Sequence, residues 1–247
     1  MPHQVVVGAG MIGRPLAERL AERGDRVGIA TRSGAAVHGA TSLVLNAADP
    51  AAFGRAAAGA ATIFLCTNPR YTDWPAQWPP VIDAAISAAS ATVARLVVMG
   101  NHYPYGSPNA PMTEQPPEAT TETKGLVRKE GWRRMRAAHD RGVIRAVEVR
   151  ASDYFGPGVA GTAHLGDRFF TAIGRYGTHG KVAGYPQWLL RSLGKVNPMM
   201  HEIWASSYQF LVPYVIDSAE TERELRVAAT QWADALLTTA ESYRHTA

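Results

Sequence analysis

The stretch VVVGAGMIGRPLAERL, residues 5–20, runs from three valines through three glycines into a helix-like pattern. Val5, Val6 and Val7 are β-branched and unbroken by polar residues, as in a strand covered on both faces. Gly8, Gly10 and Gly13 then fit the spacing G-x-G-x-x-G, and from Ile12 to Arg23 the apolar residues recur at helical spacing. In a strand-turn-helix context the first glycine allows the tight turn. The second lets a diphosphate approach the backbone, and the third lets helix and strand pack closely. The amides at the head of the helix, those of Met11, Ile12 and Gly13, join the helix dipole in attracting phosphate. The plainer use of such glycines is a tight structural turn, and the surroundings decide between the two.

Those surroundings alternate. The apolar runs QVVVGAG, RVGIATR, SLVLNAA, ATIFLCT, RLVVMGN and IRAVEVR are short, rich in β-branched residues and not alternating, which suits parallel strands buried on both faces. Helix-patterned stretches separate them: Ile12 to Arg23, a second from near Asp49, a third over Pro79 to Ala91, and a fourth over roughly Thr121 to Arg141. This alternation predicts an α/β fold, a doubly wound, Rossmann-like parallel sheet. After Arg150 the pattern changes to the Gly-rich ASDYFGPGVAGTAHLG and a mostly helical tail. YPQWLLRSLG and PMMHEIWASSYQFL open at or after proline, a favoured first-turn residue. The last amphipathic stretch, Val227 to Tyr243, is expected to lay Trp232, Leu236 and Leu237 on the body. The expected division is a dinucleotide-binding domain over residues 1–165 and a small, mostly helical substrate or cap region over 166–247.

Composition narrows the classes. A chain of 247 residues can bury a full core, and 46% hydrophobic with 19% charged residues is a globular balance. The net charge of +4 is small and dispersed, which argues against nucleic acid as a partner and leaves room for a local anion pocket. The basic GWRRMRAAHDR reads as the solvated outer face of a helix. Cys66 is the only cysteine, so neither an intramolecular disulfide nor a Cys-based zinc cluster can form. His201 and Glu202 begin like H-E-x-x-H but no second histidine follows, so no metal is expected. Neither G-x-S-x-G nor a P-loop occurs, against the common hydrolase and nucleoside-triphosphatase designs. With no signal-like start and no apolar run of about eighteen residues, the expectation is a soluble, cytoplasmic protein without a membrane partner.

The end of the second apolar run discriminates between nicotinamide dinucleotides. An NAD site usually carries Asp or Glu there to hold the ribose hydroxyls, whereas this chain has Thr31, Arg32 and Ser33. A carboxylate would repel a 2′-phosphate, while a guanidinium and two hydroxyls can bind it. NADP is therefore favoured over NAD.

Taken in order, GAGMIG, NAADP, FLCTNPRY, VVMGNHYPYG and VRASDYFGPG resemble the extended short-chain dehydrogenase/reductase family, the NAD(P)-dependent epimerase/dehydratase group, and within it an atypical bacterial branch. The resemblance covers residues 4 to about 165. VRASDYFGPG is similar to the family's Arg-x-x-Asn-x-Tyr-Gly-Pro-Gly turn, with Asp153 in the Asn place and Phe155 in the Tyr place. The resemblance implies that Asn46 and Ala47 lie beside the adenine, that Cys66, Thr67 and Asn68 line the ribose and pyrophosphate, and that Met99 to Asn101 approach the nicotinamide. Read by itself, Cys66 is a buried core thiol.

The family also implies a Ser or Thr after the fifth strand and a Tyr-x-x-x-Lys on the next helix, the tyrosine acting as acid or base and the lysine holding the nicotinamide ribose. The matching positions here are Asn101 and TTETK, with Thr120 where tyrosine belongs and Lys124 in the lysine place. A threonine hydroxyl is no comparable proton donor near neutrality. Substitutes at the sheet's C-terminal edge, where such folds bind ligands, are Tyr103, Tyr105, His102, Asp153 and Tyr154. The far half departs too: between about 172 and 181 the chain crosses in a few residues of GRYGTHG where the family spends several elements. Either the chain is shortened there or a stretch is missing from it.

These readings lead to an NADP-dependent oxidoreductase or epimerase-like enzyme, acting on a small organic substrate by hydride transfer beside Lys124, with a non-standard proton donor. Trp74 and Trp78 in RYTDWPAQWPPV, with Trp188 and Trp204 in the tail, suggest either a pocket for a bulky apolar substrate or core packing and an oligomer interface, such as that of a homodimer. The rival from another class is a non-catalytic NADP-binding redox sensor, favoured by the absent tyrosine. A third use of the same fold is non-redox chemistry in the pocket.

Overall fold

A computed structural model describes residues 1–115, 117–159, 184 and 186–244. Six strands form one sheet: β1 (His3–Val7), β2 (Arg26–Thr31), β3 (Thr41–Val44), β4 (Thr62–Leu65), β5 (Arg95–Asn101) and β6 (Arg145–Ala151), in the order β3-β2-β1-β4-β5-β6. The pairings of β1 with β2 and β4, of β2 with β3, and of β4 with β5 are all parallel. Helices α1 (Gly13–Glu22), α2 (Pro50–Ala56), α3 (Trp74–Thr92) and α4 (Thr123–Asp140) alternate with them. The order reverses at β1, so the loops after β1 and β4 open the crevice where doubly wound sheets take ligands. Every apolar run of the sequence becomes a strand.

Two compact units divide the chain: Met1–Gly106 with Glu118–Arg150, and Ser107–Pro117 with Ala151–Ala247. In the first, two apolar layers enclose the sheet. Val6, Ala17, Leu20, Val27 and Ile29 fill one side; Phe53, Ile63, Leu65, Trp74, Leu96 and Met135 help fill the other. The expectation of strands covered on both faces holds for β1 and not for the edges. β3 is largely exposed, and β6 alternates, with Val147 and Val149 about half exposed. An edge strand has one neighbour, so a continuous apolar run there is not matched by continuous cover.

Local chemistry sets the helix ends. Asp49 caps α2, its carboxylate accepting from the amides of Ala51 (2.9 Å) and Ala52 (3.0 Å), with Pro50 in the first turn. Helix α3 starts at Trp74, earlier than the Pro79 start read from sequence, and carries Pro79 and Pro80 inside it. Trp74 and Trp78 lie one turn apart, edge to face at 6.1 Å and almost wholly buried, so packing outweighs the backbone bonds the prolines forfeit. These two tryptophans are therefore core and not a substrate pocket.

In the second unit, helices α5 (Gln187–Gly194) and α6 (Pro198–Ala205) form a pair, followed by α7 (Ala219–Leu225) and α8 (Trp232–Arg244). Asn197 caps α6 through the amides of Met199 and Met200. The final helix begins at Trp232 rather than Val227. Within it Trp232 and Leu237 are each 60% exposed, Leu236 is half-buried and Thr239 is buried. Trp232 meets the ring of Phe155 at 5.1 Å. The short crossing near 172–181 lies outside the described residues. Among the described residues no helix is long and apolar enough to cross a membrane.

Candidate functional site

Each glycine of the first turn has its own environment. Gly8 has φ +104°, and a Cβ there would stand 2.8 Å from the Thr67 backbone, so the segment that follows β4 closes on the turn. A Cβ on Gly13 would fall onto the carbonyl oxygen of Gly8. Nothing lies within 4 Å of a Cβ on Gly10. Gly8 and Gly13 are thus needed by the protein itself, whereas the space over Gly10 is open. The amide of Arg14 donates to the Gly10 carbonyl (3.0 Å), which starts the helical turn. Among the described residues no protein acceptor takes the amides of Met11, Ile12 or Gly13, and no side chain caps α1. They are orphan donors at the head of a helix, a position whose dipole favours negative charge.

At the end of β2 the Thr31 hydroxyl accepts from the Ala35 amide at 2.8 Å, so it shapes the turn. Arg32 and Ser33 are exposed beyond it, and no carboxylate occurs from Thr31 to Ala36. Sequence reading missed Arg14, whose guanidinium donates to the Ala36 carbonyl at 3.1 Å across this loop. The available signal was a cation in the first turn of a helix whose dipole disfavours it. Asn46 is exposed, and its side-chain oxygen accepts from the Ala48 amide at 3.2 Å; Ala47 is half-buried beside it. Cys66 follows β4, its amide bonded to the Val7 carbonyl (2.9 Å), and burial pushes its thiol up to about 12. It is a packing thiol beside Gly13, with Thr67 half-buried and Asn68 exposed after it.

Lys124 opens α4 and is only 3% exposed, unlike an ordinary surface lysine. Its ammonium lies over two aromatic faces, 4.8 Å from the Tyr71 ring centroid and 5.0 Å from that of Tyr103. The two phenol oxygens are 3.4 Å apart, and either can donate. Tyr71, from the 3-10 turn Tyr71–Asp73, was not among the sequence candidates. Thr120 is buried, and its hydroxyl oxygen accepts from the Glu122 amide at 3.3 Å next to Gly125, so it supports the start of α4. Asn101 ends β5 with its side-chain oxygen accepting from the Tyr103 amide at 3.3 Å. The carbonyl of Met99 accepts from Arg128 at 2.6 Å.

Tyr105 belongs to a different arrangement. It is buried, stacked 4.9 Å from the guanidinium of Arg150 and 5.5 Å from the ring of His102. Arg150 bonds Glu148 at 2.6 Å and Glu118, and burial, which alone would lower its pKa, is outweighed by these carboxylates. Burial raises Glu148 despite Arg150 and Arg128 beside it. His102 is lowered to about 4 by burial and by the charge of Arg150. This network removes Tyr105 from the exposed candidates. Asp153 is exposed in the second unit and is not among the residues the first unit brings together. The basic face of α4 is solvated as expected: Arg133 pairs with Glu130 at 2.6 Å and Arg134 with Asp83.

No family model and no curated protein matches the chain. Solved structures do. MoeE5 in complex with UDP-glucose and NAD is similar with a TM-score of 0.71 at 16% identity, over 99% of this chain and 99% of that one. DesIV, a dTDP-glucose 4,6-dehydratase from Streptomyces venezuelae with NAD and TYD bound, gives 0.73 at 16% identity, over 98% and 97%. The Bordetella bronchiseptica enzyme WbmH in complex with NAD+ gives 0.69 at 15% identity, over 99% of each chain. At these identities the likeness is one of fold.

Proposed function

We propose that this chain is a nicotinamide-dinucleotide-dependent enzyme of the extended short-chain dehydrogenase/reductase type, oxidoreductase or epimerase-like, that acts on a small organic substrate and takes NADP in preference to NAD. The observation that carries the reading is the open space over Gly10 between two glycines that the fold has filled, with orphan amides beside it. The NAD bound in the similar structures supports a nicotinamide dinucleotide. The choice of NADP rests on Arg32 and Ser33, exposed in a loop without a carboxylate.

In this reading the amides of Met11, Ile12 and Gly13 hold the diphosphate, and Arg32 with Ser33 holds the 2′-phosphate. Asn46 and Ala47 flank the adenine. Thr67 and Asn68 line the path toward the end of β5, where Met99 and Asn101 lie. Lys124 holds the nicotinamide ribose from its place over the rings of Tyr71 and Tyr103. When bound, the dinucleotide supplies or accepts a hydride; the protein supplies orientation, charge and a proton. A second reading, dinucleotide binding without turnover, is favoured by Thr120, whose hydroxyl is occupied with the head of α4.

Fluorescence titration with NADPH and NADH tests the first part. The wild-type chain is expected to bind NADPH more tightly, and Arg32→Asp to weaken NADPH by about 10-fold or more, from loss of a charge-assisted bond worth about 1.5–3 kcal/mol, while sparing NADH. Equal effects on both dinucleotides would remove the NADP assignment. NADPH oxidation over a panel of ketones and aldehydes separates enzyme from sensor.

A further inference from the structure

We propose that the phenol of Tyr71, paired with Tyr103 over the Lys124 ammonium, is the proton donor and acceptor that replaces the missing Tyr-x-x-x-Lys tyrosine; this rests on the function proposed above. The two hydroxyls lie 3.4 Å apart, and both rings lie within about 5 Å of one buried ammonium. Tyr71 sits after β4, Tyr103 after β5 and Lys124 at the head of α4, so three loops at the C-terminal edge of the sheet converge on one point. That edge is where doubly wound folds react ligands.

Packing distributes the roles. Trp74, fixed by its indole donating to the Pro69 carbonyl at 3.0 Å, holds Tyr71 at 5.1 Å and Tyr103 at 5.9 Å between ring centroids. Tyr103 packs against the core, whereas Tyr71 is 37% exposed and can be reached by a substrate. Tyr71 is therefore the group that meets the substrate and Tyr103 is its hydrogen-bond partner. In carbonyl reduction the Tyr71 O–H bond breaks and its proton passes to the carbonyl oxygen, as the carbonyl carbon gains a hydride from the reduced dinucleotide. The phenolate left beside Lys124 recovers a proton from Tyr103, which takes one from water. Oxidation of an alcohol runs the same proton path backwards. Lys124 lowers the energy of the phenolate through its charge.

Nitration with tetranitromethane, which attacks phenolate, followed by mass-spectrometric mapping, reads this pairing without turnover. Of the nine tyrosines in the chain, Tyr71 is expected to react first. Lys124→Met and Tyr103→Phe are each expected to slow its nitration without reducing its exposure, and saturating NADPH to protect it. With a carbonyl substrate, Tyr71→Phe is expected to lower kcat by about 100-fold or more while the NADPH affinity stays within about threefold of wild type. A Tyr71 nitration rate indifferent to both Lys124→Met and Tyr103→Phe overturns the assignment, as does a Tyr71→Phe enzyme with near wild-type kcat, or a wild-type chain that binds NADPH yet reduces nothing on the panel. Failure of the wild-type chain to bind either dinucleotide overturns the function itself and this inference with it.

Discussion

Substituting alanine at two positions of one glycine turn separates what the fold needs from what a ligand needs. At Gly13 the added methyl falls onto the Gly8 carbonyl oxygen, far inside the 3.0 Å below which real Cβ contacts essentially never occur. The head of α1 and the end of β1 must part by roughly 1 Å, and overpacking of this kind typically costs about 1–3 kcal/mol. At about 2–4 °C per kcal/mol for a chain of this size, Gly13→Ala is expected to lower the melting temperature by roughly 2–12 °C. At Gly10 the same methyl meets nothing within 4 Å, so Gly10→Ala is expected to leave stability within about 0.5 kcal/mol. The methyl does occupy the space through which a diphosphate reaches the amides, and NADPH affinity is expected to fall at least 10-fold. Thermal denaturation read by circular dichroism, with NADPH fluorescence titration of the same samples, gives both numbers. If Gly10→Ala melts as early as Gly13→Ala, or binds NADPH like wild type, the assignment of open space to a ligand is refuted.

The pH dependence of stability follows from His102. Its folded pKa of about 4 lies below the ordinary value of 6.5, so between the two the unfolded chain binds the extra proton and folding weakens as pH falls. The full effect is on the order of 3 kcal/mol, present above about pH 6.5 and lost as pH drops through 4. Urea denaturation at pH 7 and pH 5 should show this decline in wild type and a flatter response in His102→Gln; equal slopes would contradict it. Phe53, fully buried in the core, should cost about 3–5 kcal/mol when cut to alanine, measured by urea denaturation, and a loss under 1 kcal/mol would show that the core re-closes around the gap.

Much of the sheet unit was legible because its signals are local. β-Branched runs between helical patterns need only their own neighbours to mark strands, and Gly8, Gly10 and Gly13 mark the turn by spacing alone. The Tyr71–Tyr103–Lys124 cluster was not legible, since its members are 32 and 21 residues apart in the chain and meet only when β4, β5 and α4 are side by side. Trp74 and Trp78 could be read as pocket or core, and only their burial against the sheet assigns them to the core.

The sequence by itself determined the alternation of strands and helices, the glycine turn after β1 and the absence of a carboxylate after β2, because each is a property of adjacent residues. Tertiary structure decided that Lys124 is buried against two phenol rings, that Thr120 serves a helix end, and that Tyr105 joins a buried ion network. Burial and side-chain contact depend on which distant segments the sheet order brings together, and no local pattern encodes that order.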